Sequence, residues 1–285
     1  MIRRWILGLM GCVLCMNVFA QSLYYTQEDS LRCVQILKEL QKDSSCSFGI
    51  RVLHAAQKFL GTPYQSATLE RNPEGIVVNF RQLDCTTFVE IVLALAYEAK
   101  EDNPDFNGLA DYLRLMRYRN GEVSYLNRLH YFSDWLYENQ VRGMIMDKTA
   151  AISRSVPLQL NLSFMSSHPE SYPALKAHPD WVGEMQEIES AINKRNSYSY
   201  LPKEYIEEIS SKIEDGDIIA FVTNIKGLDV THVGIAYWET PQKLTFVHAS
   251  SGAKKVITNQ ESLADYAIRQ KNCRGIWILR PSIMF

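Results

Sequence analysis

The sequence predicts an α+β fold in which N-terminal helices pack on an antiparallel sheet. Apolar residues recur at helical spacing before residue 100, whereas short apolar runs separated by turns dominate after residue 215. Helices followed by strands favour this class over a doubly wound sheet, in which the two alternate. The 285 residues are 46% hydrophobic and 22% charged, enough for one large domain or a core with a long insertion.

Residues 1–20 have the pattern of a signal peptide. Two arginines precede an apolar run that is too short to span a bilayer, and small residues precede a cleavage position after Ala20. We therefore expect an exported, periplasmic protein that begins at Gln21, with no integral membrane segment in the mature chain. Cys12 offers a second possibility, lipid attachment, which the shortness of the apolar run before it disfavours.

Charge and cysteine usage restrict the function classes. The formal net charge is −2, so no nucleic acid or anionic membrane is expected as a partner. The mature chain keeps four cysteines, too few for a disulfide scaffold of this length. Cys33 and Cys46 are close enough in sequence to pair, which the sequence leaves open. The zinc-binding CxxC pattern does not occur.

Three helices are expected in the first part of the chain. Thr26 can cap a helix that continues to about residue 41, and a second helix runs from about residue 50 to 60, where Gly61 ends it. A third helix begins at Cys85 and is apolar on every face, which predicts deep burial. Residues 100–210 are rich in aromatics, and 147–202 look largely irregular, as expected for a segment that covers a site.

The strands in the last part of the chain bring two histidines together. Strands are expected at 218–222, 232–238, 244–249 and 275–279. A hairpin centred near Thr240 would place His232 directly opposite His248. Any register shift of even length would still leave both on one face of the sheet.

Cys85 is the candidate nucleophile. Unpaired N–H groups and the dipole at a helix start favour a thiolate and can hold an oxyanion. One imidazole can deprotonate the thiol while the other orients it. The alternative is that these residues have only structural roles, with Cys85 a small buried residue and both histidines half-buried. Sequence spacing alone does not show that Cys85 lies near the strands.

Five short motifs occur in order along the chain: Gly61-Thr62-Pro63-Tyr64, Asp84-Cys85, Gly216-Asp217-Ile218-Ile219, His232-Val233-Gly234-Ile235 and Val247-His248-Ala249-Ser250. This ordered series resembles the NlpC-type cysteine peptidases, papain-like enzymes of bacterial cell-wall turnover. The resemblance implies a papain-like core with Cys85 as nucleophile, His232 as base and His248 as orienting residue. It also places Tyr64 by the nucleophile, where it helps with the substrate or the oxyanion.

Two departures point to one branch of that superfamily. Asp-Cys-Thr-Thr-Phe at residues 84–88 replaces the usual Asp-Cys-Ser-Gly-Phe, and the long spacing between Cys85 and His232 implies an insertion at about 100–210. Together with the stretch 127–135, these features resemble the N-acetylmuramoyl-L-alanine amidase-like family from about residue 48 to the end. The chain is then expected to be a signal peptide followed by a single catalytic domain, 21–285.

That branch implies hydrolysis of the amide between the lactyl group of N-acetylmuramic acid and L-alanine in peptidoglycan fragments, including anhydro-muropeptides. No cofactor or metal is expected. The candidate substrate-binding residues are Tyr64, Asp84, Arg128, Tyr131, Trp135 and Thr231. Asp84 is equally suited to capping its helix, and the aromatics and arginine of 128–135 are equally suited to a core helix with a surface arginine.

Three other functions stay open at this point. The chain can be an endopeptidase that cuts γ-D-glutamyl–diamino-acid bonds, the commoner activity of the superfamily. It can be a muropeptide-binding module without turnover. A zinc site built from Cys85, His232 and His248 is the third, although spacing supplies no obvious further ligand.

Overall fold

The structure, a computed structural model, describes residues 22–42, 45–195 and 197–283. The expected signal peptide and the first mature residue therefore lie outside the described residues. Within the described ranges, no helix is both long enough and apolar enough to cross a bilayer. All four cysteines of these ranges are unpaired, so Cys33 and Cys46 are not bridged.

The helices lie mainly in the first two thirds of the chain, as the sequence predicts. Their bounds are α1 (Gln27–Lys42), α2 (Phe48–Gln57), α3 (Cys85–Glu98), α4 (Phe106–Arg117), α5 (Phe132–Val141), α6 (Phe164–Ser167), α7 (Pro173–Ala177), α8 (Trp181–Asn193), α9 (Ile206–Ile209) and α10 (Leu263–Arg269). The expectation that 147–202 is largely irregular was wrong, since this range contains α8. A run of apolar residues at helical spacing, Met185, Ile188 and Ile192, is the signal that was missed.

The strands form a two-stranded parallel pair and a large antiparallel sheet. Their bounds are β1 (Leu23–Tyr24), β2 (Ile76–Val77), β3 (Ile145–Asp147), β4 (Val156–Leu158), β5 (Tyr198–Pro202), β6 (Ile218–Thr223), β7 (Val230–Thr240), β8 (Lys243–Ser250), β9 (Lys255–Thr258) and β10 (Cys273–Pro281). In the large sheet the order is β4-β5-β10-β6-β7-β8-β9, and β3 also pairs with β10. The α+β class is thereby confirmed.

The two faces of the sheet are covered by different helices. Val233, Ile235 and Val247 belong to one hydrophobic cluster with the residues of α1 to α4. Phe221 and Phe246 point the other way and pack with residues of α10. Because successive residues of a strand alternate between faces, His232 and His248 belong to the α10 side. The papain-like description of this core stays a prediction.

Helix α3 is the buried centre of the helical layer. It packs against α2, α4 and β7, and nearly every residue after its first turn is buried, as its apolar sequence predicts. Its one central charge, Glu90, is 2.8 Å from the guanidinium of Arg117 in α4, and both side chains are buried. Pairing offsets the cost of burying each charge and ties α4 to the helix that carries Cys85.

Candidate active site

Cys85 is the first residue of α3, and the helix start is tightly defined. Asp84 accepts a hydrogen bond from the backbone N–H of Thr87 at 2.8 Å, while the backbone N–H of Asp84 donates to the Thr87 hydroxyl at 2.9 Å. This reciprocal capping box fixes the first turn and with it the backbone of Cys85. The carboxylate of Asp84 therefore serves the cap, which is the second of the two roles expected for it, and its contacts give no support to a substrate-binding role.

Cys85 is a partly exposed residue whose thiol is held neutral. Burial raises the pKa of the thiol to about 12, and the negative charge of Asp84 adds to this shift. The backbone N–H of Val233 and the hydroxyl and N–H of Thr86 lower the pKa, but by less. The expectation of a resting thiolate was therefore wrong. A helix start lowers a thiol pKa only where solvation of the sulfur is not lost at the same time.

The two histidines are in direct contact. His232 Nε2 lies 2.6 Å from His248 Nδ1, and the rings cross at 83°. The strand register differs from the expected one: Ile235 pairs with Val247, so Gly234 rather than His232 is opposite His248. The expected direct opposition was wrong by two residues. The shared face is confirmed, because a shift of even length preserves it.

Gly234 makes room for this diagonal arrangement. A Cβ atom at this position would lie 2.7 Å from the Phe246 side chain and 3.1 Å from His248 Cβ. Only glycine lets the two strands bring His248 beside His232 without displacing a ring. This residue belongs to the His-Val-Gly-Ile motif, but its packing role was not anticipated from sequence.

Both imidazoles are neutral at physiological pH. Burial lowers the pKa of His232 to about 3, and His248 lowers it further. Burial likewise lowers the pKa of His248 to about 4, against an opposing effect of the Asn259 side chain. The aromatic rings of Phe221, Phe246 and Tyr266 surround the pair and account for the loss of solvation.

One cavity of about 190 Å³ brings the thiol and the first histidine together. Cys85, Thr231 and His232 line it, and residues from the 100–210 segment form its opposite wall. Tyr131 and Trp135 belong to that wall but are themselves buried, and the Tyr131 hydroxyl donates to Glu189 at 2.7 Å. They shape the cavity and present only part of their rings to it.

Two other candidates lie outside this cavity. Arg128 is buried and is held by Glu70 at 2.6 Å and Glu74 at 3.6 Å, so the structure does not bring it to the thiol, and the expectation of a surface arginine was also wrong. Tyr64 is half-buried, and burial raises the pKa of its hydroxyl to about 12, with further contributions from Cys85 and Asp84. A backbone bridge joins Tyr64 to Leu83, two residues before Cys85 in the chain.

A second cavity opens on the other side of His232. It measures about 360 Å³ and shares Thr231 and His232 with the first. Apart from Phe221 and Gly252, the remainder of its lining is polar or amphipathic: His248, Ser250, Ser251, Tyr266, Arg269 and Gln270. Tyr266 was missed by sequence reasoning, since nothing in the pattern of α10 distinguishes it from a packing residue.

The zinc interpretation gains no support from the geometry. Across the described ranges, the His, Cys, Asp and Glu side chains do not form a group of three or more that could hold a metal ion. Instead, Cys85 and His232 line the smaller cavity. His248 contacts His232 but does not line that cavity.

The fold and these cavities define an α+β protein with a partly exposed thiol and two hydrogen-bonded imidazoles at one site, the groups that thiol-dependent hydrolases use. The chain belongs to the N-acetylmuramoyl-L-alanine amidase-like family, also called AmiA-like, whose model matches residues 54–276. Membership supports an amidase-type hydrolase with a peptidoglycan-related substrate. A search of curated proteins finds no match.

Solved structures share the fold, and one of those described here is an amidase by name. An N-acetylmuramoyl-L-alanine amidase from Bacteroides uniformis is 37% identical over 82% of this chain and 99% of its own, with a TM-score of 0.74. A protein from Bacteroides fragilis described as a putative xylanase is 38% identical over 80% of this chain and 99% of its own, with a TM-score of 0.73. A Legionella pneumophila protein of family DUF1460, 24% identical over 88% of this chain and 95% of its own, shares the fold with a TM-score of 0.67.

Proposed function

We propose that this protein is an exported, periplasmic cell-wall amidase that hydrolyses the N-acetylmuramoyl–L-alanine amide of muropeptides, anhydro forms included, by a Cys-His-His mechanism. The observation that carries the proposal is that Cys85 and His232 line one cavity while His232 is hydrogen-bonded to His248 at 2.6 Å. In this proposal residues 21–285 form a single catalytic domain with a papain-like, NlpC-type core, and residues 100–210 are an insertion that shapes the substrate groove.

The first chemical step starts from a neutral pair. With the pKa of Cys85 raised and that of His232 lowered, proton transfer and sulfur attack on the lactyl carbonyl occur together, and a stable ion pair is not formed beforehand. The N–H groups at the start of α3 and the Tyr64 hydroxyl are the donors for the developing oxyanion. His248 stabilises the His232 imidazolium that forms as the thiol proton arrives.

The remaining steps return the enzyme to its starting state. The His232 imidazolium donates its proton to the leaving nitrogen of L-alanine, and the carbon–nitrogen bond breaks to leave a thioester on Cys85. Water then enters, gives a proton to His232 and attacks the thioester carbonyl. The sugar acid leaves and the thiol regains its proton. Cys85 and His232, which carry the bond and proton transfers of these steps, both line the smaller cavity.

The shape of the site suits a substrate with bulky groups on both sides of one amide. The cavities on the two sides of His232 meet at Thr231, so a sugar and a stem peptide can extend in opposite directions from the sulfur. Thr231 is exposed at this junction and is the candidate contact to the chain near the scissile bond. Of the aromatic candidates, Tyr131 and Trp135 limit the depth of the smaller cavity.

Product analysis on a defined anhydro-muropeptide tests the proposal. Mass spectrometry should show free sugar and an intact stem peptide, and Cys85→Ala and Cys85→Ser should lose turnover while keeping substrate affinity. Cys46→Ala, which removes another partly exposed thiol, should remain active. Cleavage after D-Glu, which yields an L-Ala–D-Glu fragment still attached to the sugar or free, would instead identify the endopeptidase. Binding without turnover by the unaltered protein would identify a binding module.

A further inference from the structure

Asn259 lies beside the histidine pair on the same face of the sheet. It directly follows β9, and its backbone N–H donates to the carbonyl of Phe246 at 2.9 Å. The register of β8 and β9, in which His248 pairs with Ile257, places Asn259 opposite Phe246 and diagonal to His248. Its side chain is 8% exposed, so it faces the buried rings and not solvent.

The outer nitrogen of His248 requires a partner. His248 is 2% exposed, and its Nε2 atom has no hydrogen-bond partner of ordinary geometry among the described residues. The Asn259 side chain interacts with this imidazole and raises the pKa of His248, the direction expected of an oxygen that accepts from the ring. A buried ring nitrogen is costly to leave unpaired whether it carries a proton or a lone pair, so a hydrogen bond between His248 Nε2 and the neighbouring amide is favoured.

The orientation of the amide follows from its other contact. Asn259 Nδ2 donates to the backbone carbonyl of Glu261 at 3.0 Å. Since a carbonyl only accepts, the nitrogen end of the amide is fixed there and the oxygen end is left for His248. His248 must then carry its proton on Nε2, which leaves the Nδ1 lone pair as an acceptor.

The tautomer of His248 also determines the tautomer of His232, the proposed base. The 2.6 Å contact between His232 Nε2 and His248 Nδ1 needs one donor, which must be His232 Nε2–H if His248 Nδ1 is an acceptor. We propose that Asn259 is a positioning residue that fixes the tautomers of both histidines, so that His232 presents its Nδ1 lone pair to the Cys85 thiol. The tautomers follow from the inferred hydrogen bond between Asn259 and His248 and from the 2.6 Å contact between the two rings, whereas their consequence for turnover rests on the proposed function.

Two variants separate this role from a structural one. Asn259→Leu removes the acceptor and the contact to Glu261. Asn259→Asp keeps an acceptor for His248, adds a negative charge that still accepts from the ring, and removes the donor to Glu261. ¹⁵N NMR of the histidine rings in the full chain, at about pH 8, reports the tautomers directly. We expect Nε2–H on both His232 and His248 in the unaltered protein and in Asn259→Asp, and a loss of this pattern in Asn259→Leu.

Kinetics on the muropeptide substrate give the second readout. Asn259→Leu should lower kcat by roughly tenfold or more with little change in KM, and Asn259→Asp should retain most of the kcat. The proposal is overturned if His248 carries Nδ1–H in the unaltered protein, or if Asn259→Leu leaves both ring spectra unchanged. It is also overturned if the two variants lose kcat equally. An inactive protein that shows the expected tautomers refutes the amidase proposal and leaves this one standing.

Discussion

His232 and His248 touch through their ring nitrogens at 2.6 Å although they are not opposite each other in the sheet. The residue opposite His248 is Gly234, whose missing side chain opens the space that the diagonal contact needs. The site therefore depends on the packing between strands β7 and β8 as much as on the reactive residues themselves.

Gly234→Ala should disrupt the histidine pair. The new methyl group would lie 2.7 Å from Phe246 and 2.9 Å from the carbonyl of Val247, so the strands or rings must move. We expect a loss of about 1–3 kcal/mol in the free energy of unfolding and a fall in kcat. Gly183→Ala in α8 is the matched control, because nothing lies within 4 Å of its added carbon. Equal behaviour of the two variants in denaturant titration and assay would contradict this account.

Asp84→Asn should make Cys85 more reactive. Burial and then the charge of Asp84 raise the pKa of the thiol, so removing the charge lowers that pKa and increases the thiolate fraction at a given pH. Asparagine caps helices about as well as aspartate, so α3 should keep its start. We expect iodoacetamide to label Cys85 roughly two- to tenfold faster at neutral pH. An unchanged labelling rate, with the helix intact by circular dichroism, would show that the charge does not act on the sulfur.

Neutral His232 should contribute to acid sensitivity. Its pKa falls from an ordinary 6.5 to about 3 on folding, so the folded state takes up the proton less readily than the unfolded state. The stability linked to this group is complete above about pH 6.5 and is lost as pH falls towards 3. His232→Gln should therefore show a weaker decline of Tm over that range, whereas His168→Gln, at an exposed ring, should follow the unaltered protein. If Tm falls equally with pH in all three proteins, protonation of His232 is not linked to stability.

Breaking the buried ion pair under the site should destabilise the helical layer. Arg117→Met leaves the Glu90 carboxylate of α3 without the partner that lies 2.8 Å away. We expect a loss of about 3–5 kcal/mol in unfolding free energy, measured by denaturant titration. The double variant Arg117→Met, Glu90→Leu should recover a large part of it, because no unpaired charge then remains. Additive losses in the double variant would mean that packing and not charge sets the cost.

Much of the fold followed from local patterns, and the exceptions have identifiable causes. The start of α3, its burial and the strands that carry His232 and His248 were predicted because capping residues and hydrophobic periodicity act locally. The 100–210 segment was predicted poorly. Arg128 was a candidate substrate-binding residue, with a helix-surface position as the alternative. It is instead buried and paired with Glu70 and Glu74, contacts that link residues far apart in sequence.

The sequence by itself determined which reactive side chains exist and on which face of the sheet the two histidines lie, because side chains alternate along a strand whatever its register. Tertiary structure alone decided their register, their contact and their charge. The hairpin turns at residues 241–242 and not at Thr240, which shifts the pairing of β7 with β8 by two residues. Burial leaves the thiol and both imidazoles neutral where the helix start alone favoured a thiolate. Solvation depends on every neighbour in space, so it cannot be inferred from the residues next to Cys85 in the chain.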